Sequence, residues 1–374
     1  MRPNAWIELD AEVLRENLQG IRATLRPGTE LILVVKANAY GHGLRMVSAC
    51  AWSAGVRWFL VARLDEALEL REAVQEARIL LLGAVGPEDV GTLLELGITP
   101  VVVDVAQGLA LGQAATRRGA TLACHVKVDT GMGRLGLPWE GAATLIKELH
   151  AAGGLVLEGV CTHLASAGRP NDPFAELQVS RFRSVVAQCR AAGIHLPFQH
   201  LANSAAFATR PDWDMQGVRV GLLAYGYSGR RVPARMQTRP FLQWKSRVIQ
   251  VKAVPAGFPV SYLSTHVTPV PTQLATVDVG YSDGFSRLMS NKGYVLVGGR
   301  RARVVGRVTM NFTTVDVGPD AVVRVGDEVV LIGEQGGEAL WADELARWCQ
   351  TIPYEILTSI RSRDCTVSGS IENE

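Results

Sequence analysis

Several markers of secreted, membrane-bound or nucleic-acid-binding proteins are missing from this 374-residue chain. It has six cysteines, at positions 50, 124, 161, 189, 349 and 365, and none forms a C-x-x-C pair or sits in a ligand spacing with histidine. A disulfide framework and a zinc site are therefore not expected, and free thiols in a reducing compartment are. No apolar run approaches the length of a membrane span, and MRPNAWIELDAEV at the start has no apolar core of a signal peptide, so a cytoplasmic location is expected. Charge of one sign is also lacking: 38 basic against 36 acidic residues leave +2, which gives no basis for a nucleic-acid or membrane-surface partner.

What is present is a globular composition, 48% hydrophobic and 20% charged, over a length that accommodates two domains. Up to about residue 230 short apolar runs recur regularly: 31–36, 57–62, 78–83, 99–104, 121–129, 157–163, 198–203 and 218–226. Such nearly continuous apolar runs suit strands buried on both faces. Segments of helical spacing lie between them at 64–74, 87–97, 140–153 and 172–193, with Pro87 and Pro173 at first turns and Gly97, Gly153 and Gly193 at stops. The eight alternations predict a (β/α)₈ barrel, with a doubly wound sheet as the competing architecture.

Beyond a basic, proline-bearing linker at 230–240, β-rich runs punctuated by glycine predict a smaller, mostly antiparallel β domain. One helix is expected there at 342–350, and the terminal TVSGSIENE is expected to fray. The domain boundaries so read are 1–235 and 236–374.

LILVVKANAYGHG (31–43) ends a buried run on Lys36. A lysine at the C-terminal mouth of a barrel strand can lose solvation, and only its neutral amine forms a Schiff base with an aldehyde. The plainer alternative is a strand-end lysine reaching out to solvent. GMGRLG (131–136) satisfies the dinucleotide-binding glycine pattern, with Glu158 near the acidic position, but Pro138 follows at once and no helix opens there.

VVKANAYGHG resembles the cofactor-lysine motif of the alanine racemase family. The resemblance continues through KVDTGMGRLG (127–136), THLA (162–165), HLANSAA (200–206), VRVGLLAYG (218–226), GFPVSY (257–262), VGYSDGF (279–285), NKGYVLVGG (291–299), VGRVTMN (305–311) and PYEI (353–356), in family order. It implies a pyridoxal 5'-phosphate enzyme, a (β/α)₈ barrel followed by a β domain, that racemises alanine as a homodimer with shared active sites and supplies D-alanine for peptidoglycan. It also implies no metal. By the same resemblance Lys36 holds the cofactor as a Schiff base and serves as one base. Tyr262 from the other subunit serves as the second base, on the opposite face of the planar intermediate. Free tyrosine titrates near about 10, and His163 and Arg219 resemble the network that tunes it. Arg219 faces the pyridine nitrogen, which an arginine cannot protonate. Tyr40, Ser204, Gly221 and Tyr354 match phosphate contacts, Arg134 the contact to the substrate carboxylate, Met310 a backbone contact from the partner, and Tyr281 a gate on the substrate corridor. Lys127 matches a lysine carbamylated in some members, and His200 a supporting residue behind Arg219 or Tyr262. Seen alone, Tyr262 would be a strand-surface aromatic, Arg219 a surface arginine and Ser204 a helix N-cap.

Two departures from the family pattern stand out. Asn311 replaces the usual aspartate after the methionine, which leaves room for serine-preferring or broader specificity. ASAGRPNDP after His163 carries Arg169 where relatives are acidic. Two rival readings are a pyridoxal-phosphate decarboxylase of related fold and a non-catalytic cofactor carrier. The first lacks its cysteine context, since only Cys349 and Cys365 lie in the β-rich half. The second is opposed by that half and by Tyr262.

Overall fold

The computed structural model describes residues 4–169, 172–227, 237–361 and 364–368. Within it the chain divides into two compact units.

The larger unit, residues 14–39 and 43–239, is an all-parallel closed barrel of eight strands wrapped by helices. In chain order the barrel strands are Glu30–Val34, Trp58–Val61, Arg78–Leu81, Ile98–Val102, Leu122–Asp129, Leu155–Cys161, Phe198–Asn203 and Gly217–Val220. Each overlaps one of the eight apolar runs, and four of them, starting at Glu30, Ile98, Leu155 and Gly217, begin one or two residues before it. Val218 pairs with Leu31 where the eighth strand meets the first, and Val101 pairs with His125 where the fourth meets the fifth. Strand residues such as Leu33, Phe59, Leu80, Val126, Val160 and Leu201 are fully buried. This is why the runs show almost no polar alternation. Asp104 and Asp172 cap helices by accepting from Gln107 N and Phe174 N, and Pro173 occupies a first turn. The glycine-patterned segment 131–136 is a string of turns, and the next helix begins only at Ala142.

The smaller unit, residues 1–13, 40–42 and 240–370, is built on a sheet that is antiparallel except at one edge. Its central strand, Leu242–Val254, pairs with Thr272–Val277, Glu328–Gln335 and Ala5–Asp10. Residues 5–10, placed in the barrel domain by the sequence reading without a strand assignment, therefore form a strand of this sheet, with Ala5, Trp6, Ile7 and Leu9 buried. The C-terminal expectation changes as well. Asp364–Ser368 is an edge strand parallel to Ala5–Asp10, Thr366 opposite Glu8. TVSGSIENE is thus paired over its first three residues. Its other six, like 230–236 of the expected linker, lie outside the described residues. The expected helix forms at Ala342–Cys349, and a second, Pro353–Ser359, follows it. Five cysteines are buried free thiols, and Cys365 is exposed. No helix among the described residues is long and apolar enough to cross a membrane.

Candidate active site

Lys36 lies two residues beyond the end of the first barrel strand. Immediately after it the backbone does what L-residues avoid: Ala37, Asn38, Ala39 and Tyr40 take φ of 53°, 52°, 51° and 54°, a left-handed helical turn without glycine. Left-handed residues cost about 1–2 kcal/mol each, so the surroundings must over-determine the turn. They do so by hydrogen bonding. Ala39 N donates to Val35 O at 2.8 Å and Gly43 N to Asn38 O at 3.0 Å. Leu44 N donates to Asn38 Oδ1 at 2.8 Å, and Ala37 N to Glu66 Oε1 at 2.7 Å. Burial holds the Lys36 amine below the usual lysine range, Arg134 lowers it further, and Glu66 opposes both. The amine is thus biased toward the form that attacks a carbonyl.

Arg219, on the eighth strand, is buried rather than a surface arginine. Its guanidinium donates to His200 Nδ1 at 2.8 Å, to the carbonyls of His200, Thr162 and Leu201 at 3.0, 2.7 and 3.1 Å, and faces His163 Nδ1 at 3.4 Å. His200 Nε2 meets His125 Nδ1 at 2.8 Å. An arginine only donates, so His200 Nδ1 accepts and its proton sits on Nε2. Burial pushes His163 and His125 down to about 3, with Arg219 contributing to both, and drives His200 well below the ordinary histidine value. All three imidazoles are neutral near pH 7.

Lys127 is buried on the fifth strand, its amine lowered by desolvation first, with Arg219 and Arg134 adding to the effect. Asp129, at the end of that strand, accepts from the amides of Gly131, Met132, Gly133 and Arg134, and so shapes the exposed loop that presents Arg134. Gln178, wholly buried on the long helix, ties this loop to the next: it donates to Thr130 Oγ1 and His163 O and accepts from Ala165 N. After the seventh strand, Asn203 caps the short helix, accepting from Ala205 N and Ala206 N. Ser204 is therefore not the cap, and its Oγ accepts from Gly221 N at 2.9 Å. The barrel thus brings Lys36, Lys127, Arg134, His163, His200, Ser204, Arg219 and Gly221 to the C-terminal ends of its strands.

The remaining candidates belong to the sheet unit. Tyr40 packs against Tyr354 with the rings tilted by 52° and their centroids 5.7 Å apart, and burial raises both phenols. Tyr262 stands in a short turn, Tyr262–Ser264, not on a strand face, flanked by Ser261 and Leu263 at φ 63° and 61°. Ser261 Oγ anchors it to Arg307 O at 2.8 Å. Tyr281 N donates to Thr309 O, and Ser282 N to Met310 O, both at 3.0 Å. Asn311 Nδ2 reaches Ser282 Oγ at 3.2 Å, so Tyr281, Met310 and Asn311 share one loop cluster. Tyr262 is 70% exposed and Met310 55%.

Sequence reasoning missed Glu66, His125, Asp129 and Gln178. Asp129 had a signal, an aspartate opening a Gly-x-Gly turn whose amides it can collect. His125 had another, its two-residue offset from Lys127 on one strand face. Gln178 had none, since a lone glutamine in an amphipathic helix reads as surface.

A parallel barrel with a desolvated lysine amine at the rim and a buried arginine–imidazole cluster, followed by an antiparallel sheet unit, defines a (β/α)₈ enzyme of lysine-amine chemistry. The family models "Alanine racemase, N-terminal domain" and "Alanine racemase, C-terminal domain" match residues 9–229 and 241–367. The chain is 41% identical over 371 residues to the alanine racemase of Desulfosudis oleivorans, covering 96% of this chain and 95% of that one. It is 42% identical over 365 residues to that of Carboxydothermus hydrogenoformans, covering 97% and 98%. The crystal structure of alanine racemase from Streptomyces lavendulae superposes with a TM-score of 0.93 at 34% identity, covering 99% of this chain and 98% of that one. That from Bartonella henselae, described with covalently bound pyridoxal phosphate, gives 0.88 at 28% identity, covering 98% and 100%. The chain belongs to the alanine racemase family.

Proposed function

We propose that this chain interconverts L- and D-alanine with pyridoxal 5'-phosphate, using Lys36 and Tyr262 as bases on opposite faces of the substrate. The observation that supports it best is the partly desolvated amine at position 36, depressed by burial and Arg134 and set on a strained, hydrogen-bonded turn. The donor set fits the cofactor: an amine for its aldehyde, a buried arginine fork for its ring nitrogen, and hydroxyl and glycine-amide positions for its phosphate. When bound, the group withdraws electron density from the substrate α-carbon and makes its proton easier to remove.

In this reading Lys36 Nζ would hold the cofactor and, once released, exchange a proton with one face of the α-carbon. Tyr262 Oη would serve the other face. Arg219, fixed by His200 and three carbonyls, would donate to the ring nitrogen without protonating it, which limits carbanion lifetime and side reactions. Ser204 and Gly221, with Tyr40 and Tyr354, would hold the phosphate. Arg134 would pair with the substrate carboxylate. Lys127 is a candidate for carbamylation, because its buried amine is biased toward the neutral form that reacts with carbon dioxide. Met310 and Tyr281 would line the substrate's approach, His163 and His200 supporting the two bases.

The assembly in this reading is a homodimer in which each barrel receives the partner's Tyr262. Its support is the set of large apolar side chains that the sheet unit leaves in solvent: Tyr262, Leu263, Tyr281, Met310 and Phe312. A sheet unit serving only its own chain has no use for such a surface. We place the activity in the cytoplasm, where D-alanine would serve peptidoglycan synthesis. Asn311, uncharged where relatives are acidic, favours a second reading in which serine is also accepted.

Incubation with L-alanine, L-serine and L-lysine in heavy water, followed by chiral analysis, tests the proposal. D-alanine deuterated at Cα is expected as the main product. Absence of D-product together with absence of cofactor absorbance after adding pyridoxal phosphate overturns it, and deuteration without inversion would mean that one face has no working base.

A further inference from the structure

A carboxylate from a neighbouring helix reaches the first amide of the turn after Lys36. Glu66 belongs to the helix Leu64–Ala73, which follows the second barrel strand. Its Oε1 accepts from Ala37 N at 2.7 Å, the first amide of the left-handed turn. Its Oε2 accepts from Ala62 N at 2.9 Å and Arg63 N at 3.1 Å, the amides leaving the second strand. One side chain thus fastens the ends of two adjacent barrel strands, and both of its oxygens are committed to backbone donors. The charged and titratable groups that act on the Lys36 amine or feel its charge are Arg134 from the loop after the fifth strand, His163 after the sixth, and Glu66. Of these Glu66 alone is anionic, and it opposes the depression by burial and Arg134.

We propose that Glu66 is a positioning residue for the reaction at Lys36: its carboxylate locks the strained turn that aims the amine and supplies a negative charge that opposes that of Arg134 at the amine. This rests on the reading of Lys36 as the reactive amine. Lys36 sits one residue from Ala37, so slack at that amide moves the start of the lysine side chain directly. A geometry held by three charge-assisted bonds to backbone resists such slack. A glutamine could not replace the carboxylate, because its NH₂ would face either Ala37 N or the Ala62 and Arg63 amides, donor against donor.

The test compares Glu66→Gln with Glu72→Gln, which removes a carboxylate from the same helix without touching the turn. Amide hydrogen exchange is followed on the full-length protein over the peptide that contains Ala37. The pH midpoint for trinitrobenzenesulfonate labelling of Lys36 is read by peptide mass after the cofactor is released with hydroxylamine. Glu66→Gln should exchange at Ala37 at least tenfold faster, and its Lys36 midpoint should fall by half a unit or more, about threefold in labelling rate near neutrality. Glu72→Gln should match wild type in both. A folded Glu66→Gln protein with wild-type exchange, or with an unmoved or raised midpoint, overturns the proposal. Should Glu66→Gln fail to fold, Glu66→Asp decides: one methylene shorter, it cannot span both sets of amides, and unchanged exchange at Ala37 refutes the clamp. If wild-type Lys36 never binds pyridoxal phosphate, the proposed function fails. If it does and Glu66→Gln behaves as wild type, only this inference fails.

Discussion

The two proposed bases sit in opposite kinds of surroundings. Lys36 lies in a barrel whose polar groups answer one another: Arg219 meets five acceptor atoms on four residues, His200 donates to His125, and Gln178 joins two loops. Tyr262 stands largely in solvent on the sheet unit, its turn anchored through Ser261 and its side chain 70% exposed. Yet both lie beside non-glycine residues in the left-handed region, Ala37 in one case and Ser261 and Leu263 in the other. Rigid, strained backbone beneath a reactive side chain is shared, and burial is not. A strained backbone under an exposed tyrosine accords with the proposal that the group using it belongs to another copy.

The sharpest way to break that comparison is to remove each base in turn. Lys36→Ala should abolish racemisation and the visible absorbance of bound cofactor together. Tyr262→Phe should keep the absorbance, lose roughly 10²–10⁴-fold in turnover as expected for a missing general base, and change the unfolding free energy by no more than about 0.5 kcal/mol, because the ring is exposed within its own chain. Turnover by calibrated chiral assay and thermal unfolding decide it. A Tyr262→Phe enzyme that racemises normally would remove the sheet unit from the chemistry.

A smaller effect separates the units by acid. His163 and His125, depressed to about 3, and His200, lower still than usual, are neutral in the folded barrel. Unfolded, each binds a proton near pH 6.5, so the unfolded state holds more protons between pH 6.5 and 3 and stability falls as pH drops through that window. Asp214, raised by burial to about 7, works the other way, gaining on acidification from 7 toward its ordinary range. Three imidazoles against one carboxyl leave a net loss on the order of a few kcal/mol. Hydrogen exchange as a function of pH should therefore show barrel amides losing protection before those of the sheet. Equal loss in both units would show that the imidazole cluster does not govern acid stability.

The barrel was legible because most of its strand residues are buried, which writes the strands as largely apolar runs with glycines and prolines between. The edge strand Asp364–Ser368 was not: it is short, polar and stable only through pairing with Ala5–Asp10, more than 350 positions away in sequence. Residues 5–10, for which no strand was read, fell by position into the barrel domain for the same reason, since the strands they pair with lie more than 230 positions away. Among site residues, Lys36 and Arg219 stood in motifs, whereas Glu66 and Gln178 act through backbone amides of distant loops, and no local pattern records that. The left-handed turn was hidden too, because Ala, Asn, Ala and Tyr do not announce positive φ as glycine would.

The finest distinction concerns Asn311, which lies in the same exposed cluster as Tyr281 and Met310. Its amide donates to Ser282 Oγ, whose own hydroxyl donates to Met310 O at 2.7 Å. An aspartate at this position could only accept, so Ser282 would have to choose between the new carboxylate and the Met310 carbonyl. If that carbonyl borders the substrate, freeing it and adding a negative charge nearby should disfavour side chains larger or more polar than a methyl group. Asn311→Asp is therefore expected to raise the alanine-to-serine ratio of kcat/KM by about 3–10-fold, the range of a single weak contact near 1 kcal/mol, with little change in turnover of alanine. Competition of the two substrates in one chiral assay measures the ratio directly. An unchanged ratio would place this loop outside the specificity surface and leave the exposed cluster with a purely structural part in the proposed dimer.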